Sequence, residues 1–280
     1  YLNIPMKEDL SECDILLGVK EVDPRTLIEG KIYLIFSHVG KKQSHNRHML
    51  GEMAKKGISL IDYEYLTTED GQRIVAFGRW AGIVGAYNAL RARGIRTNRF
   101  RLKPAYQCHD LDEMWAGLSL IELKPGLKIL ITGTGRVAKG AMETLLHCNI
   151  VEVSPDEYLS HDFDVPVVCQ IGPEHYTRPK FMEHFNFSHF VKNPEEYDST
   201  FLPFTRVTDI LITAHYWDPR SPVFFSREDM KKRDFRISVI ADISCDINGA
   251  IPSTLRATTI SDPFYGYNPD LEIEEPAFMR

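Results

Sequence analysis

The chain has 280 residues, 43% hydrophobic and 26% charged, the composition of a soluble globular protein with length for one large or two ordinary domains. Its net charge of −6 argues against a nucleic-acid partner, which needs a basic surface to meet phosphates. No apolar run reaches the roughly 18 residues of a membrane span, and no signal-peptide pattern is read in the first residues, so no membrane partner is expected.

The five cysteines, at positions 13, 108, 148, 169 and 245, are odd in number and far apart, with no CxxC pair. Reduced thiols in a cytoplasmic protein are expected, rather than a disulfide frame or a zinc site. The opening Tyr1-Leu2-Asn3-Ile4 carries no initiator Met and reads as mid-domain sequence, so further residues are expected upstream, and also beyond Arg280.

In chain order, the first element is a short apolar strand over residues 15–19 that stops abruptly at Lys20. A second, over 32–37, stops the same way at His38. Strand tips are where open α/β proteins present chemistry to a ligand. The plain alternative is a lysine that snorkels to water and a hydrogen-bonded edge histidine. Residues 43–57 read as a helix, with Met49, Leu50 and Met53 on its apolar side and Gly57 as C-cap. Residues 58–66 read as a strand, and 67–78 as a turn leading into another strand. An apolar-faced helix over 80–94 ends at Gly94. Residues 95–110 are basic and irregular, and the next helix, over 110–121, is capped by Asp110 or Asp112. The break at Leu123-Lys124-Pro125-Gly126 sets a domain boundary, with residues 1–122 before it and 123–280 after it. Beyond it come a strand (128–132), a glycine turn, a helix (136–148) and a strand (150–153). Further apolar strands lie within 165–171, 207–217 and 236–244. This alternation predicts an α/β fold with mostly parallel sheets.

The stretch "KILITGTGRVAKGA" fits strand, tight turn and helix. Gly133 and Gly135 let the backbone approach a pyrophosphate at the start of a helix near Arg136. Ala138 replaces the third glycine of the usual motif, a mild change because alanine still allows close packing. Glu152 follows at the end of the next strand, where an acid holds a ribose 2′-hydroxyl. That favours NAD over NADP, although Ser154 or a neighbouring loop leaves NADP open. The alternative is a strand–helix turn with no ligand.

The fragments "LLGVKEV", "FSHVGKKQ", "LIDYEYL", "GQRIVAFGRWAGIVGA", "ILITGTGRVAKGA" and "VIADISCDINGAI" occur in this order from about residue 10 to about residue 268. On them the chain resembles the lysine-forming saccharopine dehydrogenases, and more closely the lysine–2-oxoglutarate reductase half of the bifunctional lysine-degrading enzyme. Both belong to the alanine dehydrogenase and transhydrogenase-like group. The resemblance implies two Rossmann-like domains facing a cleft. Residues 1–122 would be the substrate and catalytic domain, lacking its amino-terminal start, and 123–280 the dinucleotide-binding domain. It implies interconversion of L-lysine plus 2-oxoglutarate and saccharopine with NAD or NADP. It places Lys20 and His38 as the acid–base pair, Arg73 on a substrate carboxylate and Phe77 against the substrate. Asp242, Ser244 and Asp246 would reach substrate. Gln43, Gly133, Gly135, Arg136, Val137 and Glu152 would hold the cofactor. The chemistry suits these types: a desolvated lysine can exchange protons near neutrality, and histidine is the residue type that titrates there.

The family's substrate arginine near the amino terminus has no counterpart here, and its C-terminal return is not found. His45 and His48 lack a neighbouring carboxylate or thiol ligand, so no metal is expected. Cys108-His109-Asp110 reads as a loop into a helix cap rather than a nucleophile. Two other readings stay open: an alanine dehydrogenase-like or other oxo-acid dehydrogenase, and a catalytically silent nucleotide-binding module. Homo-oligomerisation is also left open.

Overall fold

The computed structural model describes residues 5–41 and 46–279. It is an α/β structure with mostly parallel sheets, and the chain divides into two units, Tyr1–Phe77 and Gly78–Arg280.

In the first unit, β1 (Ile15–Leu17), β2 (Ile32–Ile35) and β3 (Ser59–Asp62) form a parallel sheet in that order. Helix α1 (Arg47–Lys55) crosses between β2 and β3. Alternation along β2 buries Tyr33 and Ile35. They pack with Leu27, Met49 and Met53. Met49 and Met53 lie four apart on one face of α1, whereas Leu50 turns outward and is exposed. Gly57 takes φ +57° after the helix, as its C-cap position requires. The strand at 15–19 is shorter than expected and is an edge, with Ile15 and Leu17 exposed. The strand expected after residue 72 does not form. Gly71, at φ +81°, makes the turn, but only one bridge, Thr67 to Arg73, follows it.

The second unit opens with α2 (Gly78–Thr97) and α3 (Leu111–Ser119), the latter capped by Asp110, whose carboxylate accepts from the Glu113 N–H. Then come β4 (Lys128–Thr132), α4 (Arg136–Leu145), β5 (Val151–Glu152), α5 (Pro155–Ser160), β6 (Val167–Ile171) and α6 (Pro173–Tyr176). A two-stranded ribbon of β7 (Thr177–Pro179) and β8 (Tyr197–Ser199) encloses α7 (Phe187–Lys192). The chain continues through α8 (Leu202–Thr205), β9 (Ile210–Thr213), α9 (Arg227–Met230) and β10 (Val239–Asp242). It ends in a ribbon of β11 (Gly266–Asn268) and β12 (Ile273–Glu275).

Five of these strands form one parallel sheet in the order β10-β9-β4-β6-β5. Ile129, Ile131, Val168, Ile210 and Ile212 pack with α2, α3 and α4 on one face. Leu130, Val167, Cys169, Ile171 and Leu211 pack on the other with Tyr158, Tyr176, Phe201, Phe204 and Phe224. Burial on both faces explains why β4 and β9 read as unbroken apolar runs. The connections from β4 run to one side and those after β8 to the other, so the C-terminal end of β4 is a switch point between β6 and β9.

The division expected between residues 122 and 123 falls inside this unit. Helix α2 buries Ile83, Ala86, Tyr87 and Leu90 in the same core as Ile129 and Ala138. It also runs through Gly94 to Thr97. Residues 124–126 are a turn into β4, with Gly126 at φ +71°. Among the described residues no helix is long and apolar enough to cross a membrane.

Helices α2 and α4 meet backbone to backbone. A β-carbon at Gly82 would run into the Val137 carbonyl, and one at Gly140 into the Arg79 carbonyl. Gly82→Ala should gain about 1 kcal/mol in helix propensity but lose up to about 3 kcal/mol to overpacking, because backbone cannot yield as a side-chain tip can. A net loss near 2 kcal/mol in urea unfolding is expected. An unchanged or higher midpoint would contradict this packing.

Candidate functional site

In the first unit, three of the expected residues gather on one aromatic ring. Phe36, just beyond β2, has the Lys20 Nζ 5.8 Å from its centroid, the His38 ring at 6.0 Å and Phe77 at 5.4 Å. Tyr63 closes the group at 5.5 Å. Phe36 itself is buried, so it forms a floor, while Lys20 is exposed. Buried Ser37 donates to Asp62, tying the end of β2 to the end of β3.

His38 adopts φ +51°, a left-handed conformation uncommon outside glycine. Its Nδ1 lies 2.5 Å from Glu21 Oε1. With a carboxylate on Nδ1, the proton of the neutral ring sits there and Nε2 is the accepting nitrogen. Burial works against ionisation of Glu21, but the hydrogen bond from His38, a backbone hydrogen bond and the nearby charges of His38 and Lys20 together outweigh it and hold the carboxyl below its ordinary range. Glu21 was not singled out from the sequence. The signal was its place directly after Lys20 at the strand tip, opposite the second tip at His38.

Arg73 donates from Nη2 to Glu64 Oε1 at 2.8 Å and stays half-exposed, with buried Glu64 as its anchor. Gln43 and His45 lie outside the described residues. His48 is exposed on α1, and among the described residues no three potential ligands cluster to hold a metal.

In the second unit, the turn after β4 separates two glycine roles. Gly133 has φ +96°, and a β-carbon there would sit 2.7 Å from the Ala214 carbonyl oxygen, so it is required by the protein itself. Its N–H donates to Ile171 at 2.8 Å and its carbonyl accepts from Gln170 Nε2 at 2.9 Å. Gly135 has ordinary extended backbone and nothing within 4 Å of a would-be β-carbon. The space in front of it adjoins the first-turn N–H groups of α4, which begins with Arg136 and Val137. Open space beside the first turn of a helix fits a pyrophosphate.

Glu152 is not brought to this turn. It sits on edge strand β5, level with Val168 of β6 and Ile129 of β4. That is two strands over, about 10 Å, and three residues short of the C-terminal end of β4, about another 10 Å. The spacing of the sequence counted residues, whereas the strand order decided the neighbour. Ser154 caps α5 and shares its hydroxyl with Glu157.

Asp242 and Ser244 do come together at the end of β10. The Asp242 carboxylate accepts from Thr213 at 2.5 Å, Ser244 at 2.6 Å and Thr254 at 2.5 Å. Three hydroxyls on one carboxylate pin β9, β10 and the following loop. Asp246 lies on that loop and is exposed.

His215, after β9, was also missed. It is 9% exposed, with Nδ1 2.7 Å from Thr132 Oγ1 and its ring against Phe224. Burial pushes its imidazole down to about 4, against an opposing pull from Asp242. The unfolded chain takes up this proton from about pH 6.5 downward while the folded one does not, so stability falls with pH across that window, by about 2 kcal/mol at pH 5. His215→Gln should remove that part of the difference in urea stability between pH 7 and pH 5. An unchanged difference would contradict the buried neutral ring. Next to it, Tyr216 is 88% exposed at the same switch point.

Residues 4–84 match the family described as alanine dehydrogenase/PNT, N-terminal domain. The alpha-aminoadipic semialdehyde synthase, mitochondrial, of Mus musculus is 31% identical across 96% of this chain and 33% of its own length. The synthase of Arabidopsis thaliana is 28% identical, across 94% and 28%. The saccharopine dehydrogenase [NAD(+), L-lysine-forming] of Neurospora crassa is 24% identical, across 89% and 61%. The chain thus spans a third or less of these synthases and under two thirds of that dehydrogenase. An L-alanine dehydrogenase structure superposes with a TM-score of 0.50 at 18% identity, covering 94% of this chain and 64% of that one, a likeness of fold. The chain is a homologue of the alpha-aminoadipic semialdehyde synthases and the saccharopine dehydrogenases over this part of their length, and its residues 4–84 match the alanine dehydrogenase/PNT N-terminal family.

Proposed function

We propose that this chain catalyses the reductive joining of L-lysine and 2-oxoglutarate to saccharopine, or its reversal, with a nicotinamide dinucleotide. The observation that carries this reading is the meeting of Lys20, His38 and Phe77 on the Phe36 ring, with Glu21 orienting the histidine.

The reaction needs protons moved at each stage. The ε-amine of the substrate lysine must lose a proton before it attacks the ketone carbon of 2-oxoglutarate. The resulting carbinolamine expels its hydroxyl as water only if that oxygen is protonated, leaving an imine. A reduced nicotinamide dinucleotide, when bound, would supply the hydride, and a proton on the nitrogen completes the conversion of the imine to a secondary amine. His38 Nε2 accepts the proton from the attacking amine, and Glu21 stabilises the imidazolium that forms. Lys20, as an ammonium, donates to the departing hydroxyl. Arg73, held by Glu64, binds a substrate carboxylate, and Phe77 packs on the aliphatic part. The pinned loop at Asp242 and Ser244, with Asp246, lines the substrate. The turn from Gly133 to Val137, led by Gly135 and with Arg136 beside it, takes the pyrophosphate; Gln43 is proposed as a further cofactor contact. The odd number and wide spacing of the five cysteines favour a reducing compartment, the cytoplasm in our reading.

Cofactor oxidation should be followed with lysine plus 2-oxoglutarate, and separately with pyruvate plus ammonium. Turnover only with the first pair, with a product of saccharopine mass, is expected. Turnover only with the second would make the chain alanine dehydrogenase-like. Dinucleotide binding with no turnover on either would make it a silent binding module.

A further inference from the structure

The strand order carries a consequence for cofactor choice. In the usual doubly wound arrangement, the second strand lies beside the first and its end presents the acid that holds the adenosine ribose. Here the chain crosses further, so the second strand, β5, is the edge and the third, β6, lies beside β4. The place next to the glycine turn therefore belongs to the end of β6, which reads Ile171-Gly172-Pro173-Glu174. Gly133 donates to the Ile171 carbonyl, so the turn and this end are bonded together. The Glu174 side chain folds back over Gly172. The atoms nearest a would-be β-carbon at Gly172 are both Glu174 carboxylate oxygens and the carbon between them. The carboxylate is about half-exposed, with His175 Nδ1 3.3 Å away.

We infer that Glu174, rather than Glu152, is the acid that takes the adenosine ribose hydroxyls and sets a preference for NAD over NADP; this rests on the reading of the turn at Gly133–Val137 as a dinucleotide site. A carboxylate accepts from a 2′-hydroxyl, whereas a 2′-phosphate brings like charge against it. Glu152, about 10 Å to the side and as far below the turn, is a solvated edge residue.

The test is calorimetric binding of NADH and NADPH to the wild-type chain, Glu174→Gln and Glu152→Gln. Glu174 is half-exposed and caps no element, so the glutamine variant should keep the wild-type unfolding midpoint. Expected are tighter binding of NADH than NADPH by the wild type and a loss of about tenfold in NADH affinity for Glu174→Gln. NADPH affinity should hold or improve, and Glu152→Gln should match the wild type. Wild-type NADH affinity in Glu174→Gln, or a loss in Glu152→Gln instead, would overturn the assignment while leaving the turn as the nucleotide site. Binding of neither dinucleotide by the wild type would overturn the nucleotide reading and this inference together.

Discussion

Lys20→Met is expected to lower kcat for saccharopine formation by about 10²–10⁴-fold, the range for a positioned acid–base group. Methionine keeps an unbranched stem to lie along Phe36 while deleting the amine. Because Lys20 is exposed, the unfolding midpoint should stay within experimental scatter of the wild type, and dinucleotide affinity should not move. His38→Gln should cost less where Lys20 covers part of the proton transfer, and Glu21→Gln should resemble it by weakening the hold on Nδ1. The double variant Lys20→Met, His38→Gln should fall well short of the product of the single losses, because both residues serve the same protons. A merely snorkelling lysine predicts normal rates for Lys20→Met.

Gly135→Val should weaken dinucleotide binding by at least about tenfold, or 1.4 kcal/mol, with a stability loss of no more than about 1 kcal/mol from the poorer helix N-cap. The two glycines of the turn make this a clean comparison. The backbone at Gly135 is extended and open, so valine fits the protein, and its branched side chain fills the space a pyrophosphate would use. Gly133→Val should instead unfold the turn, since its φ is +96° and its would-be β-carbon meets the Ala214 carbonyl. Isothermal titration with NADH beside urea unfolding separates the two. Wild-type affinity in folded Gly135→Val would remove this turn from cofactor binding.

Much of the second unit's core was legible in the sequence. Residues 128–132 and the helix start at Arg136 were readable because a buried parallel strand is continuously apolar and the glycines mark the turn. Strand neighbours were not legible, because pairing is decided by packing across the sheet. Glu152 therefore stands at the correct sequence distance and in the wrong place. The boundary at 122/123 misled for a related reason. A proline–glycine break marks a turn, but membership of a unit follows the buried stripe of α2. At the tips of β1 and β2, isolated charges after apolar runs pointed to Lys20 and His38. The residues that organise them, Phe36 beneath and Glu21 beside, look like ordinary core and surface positions. Asp242 and Ser244 were found as polar members of one segment, whereas the other two hydroxyls on the Asp242 carboxylate, from Thr213 and Thr254, come from distant stretches of the chain.

We propose that this chain forms the carbon–nitrogen bond of saccharopine with Lys20 as a proton donor. The most direct measurement is mass-spectrometric detection of saccharopine after a single turnover with lysine, 2-oxoglutarate and reduced dinucleotide, in wild type and in Lys20→Met. Product in the wild type, with a rate about 10²–10⁴-fold lower in Lys20→Met at equal dinucleotide occupancy, is the predicted result. Equal rates in the two proteins, or dinucleotide bound by the wild type with no saccharopine formed, would contradict it.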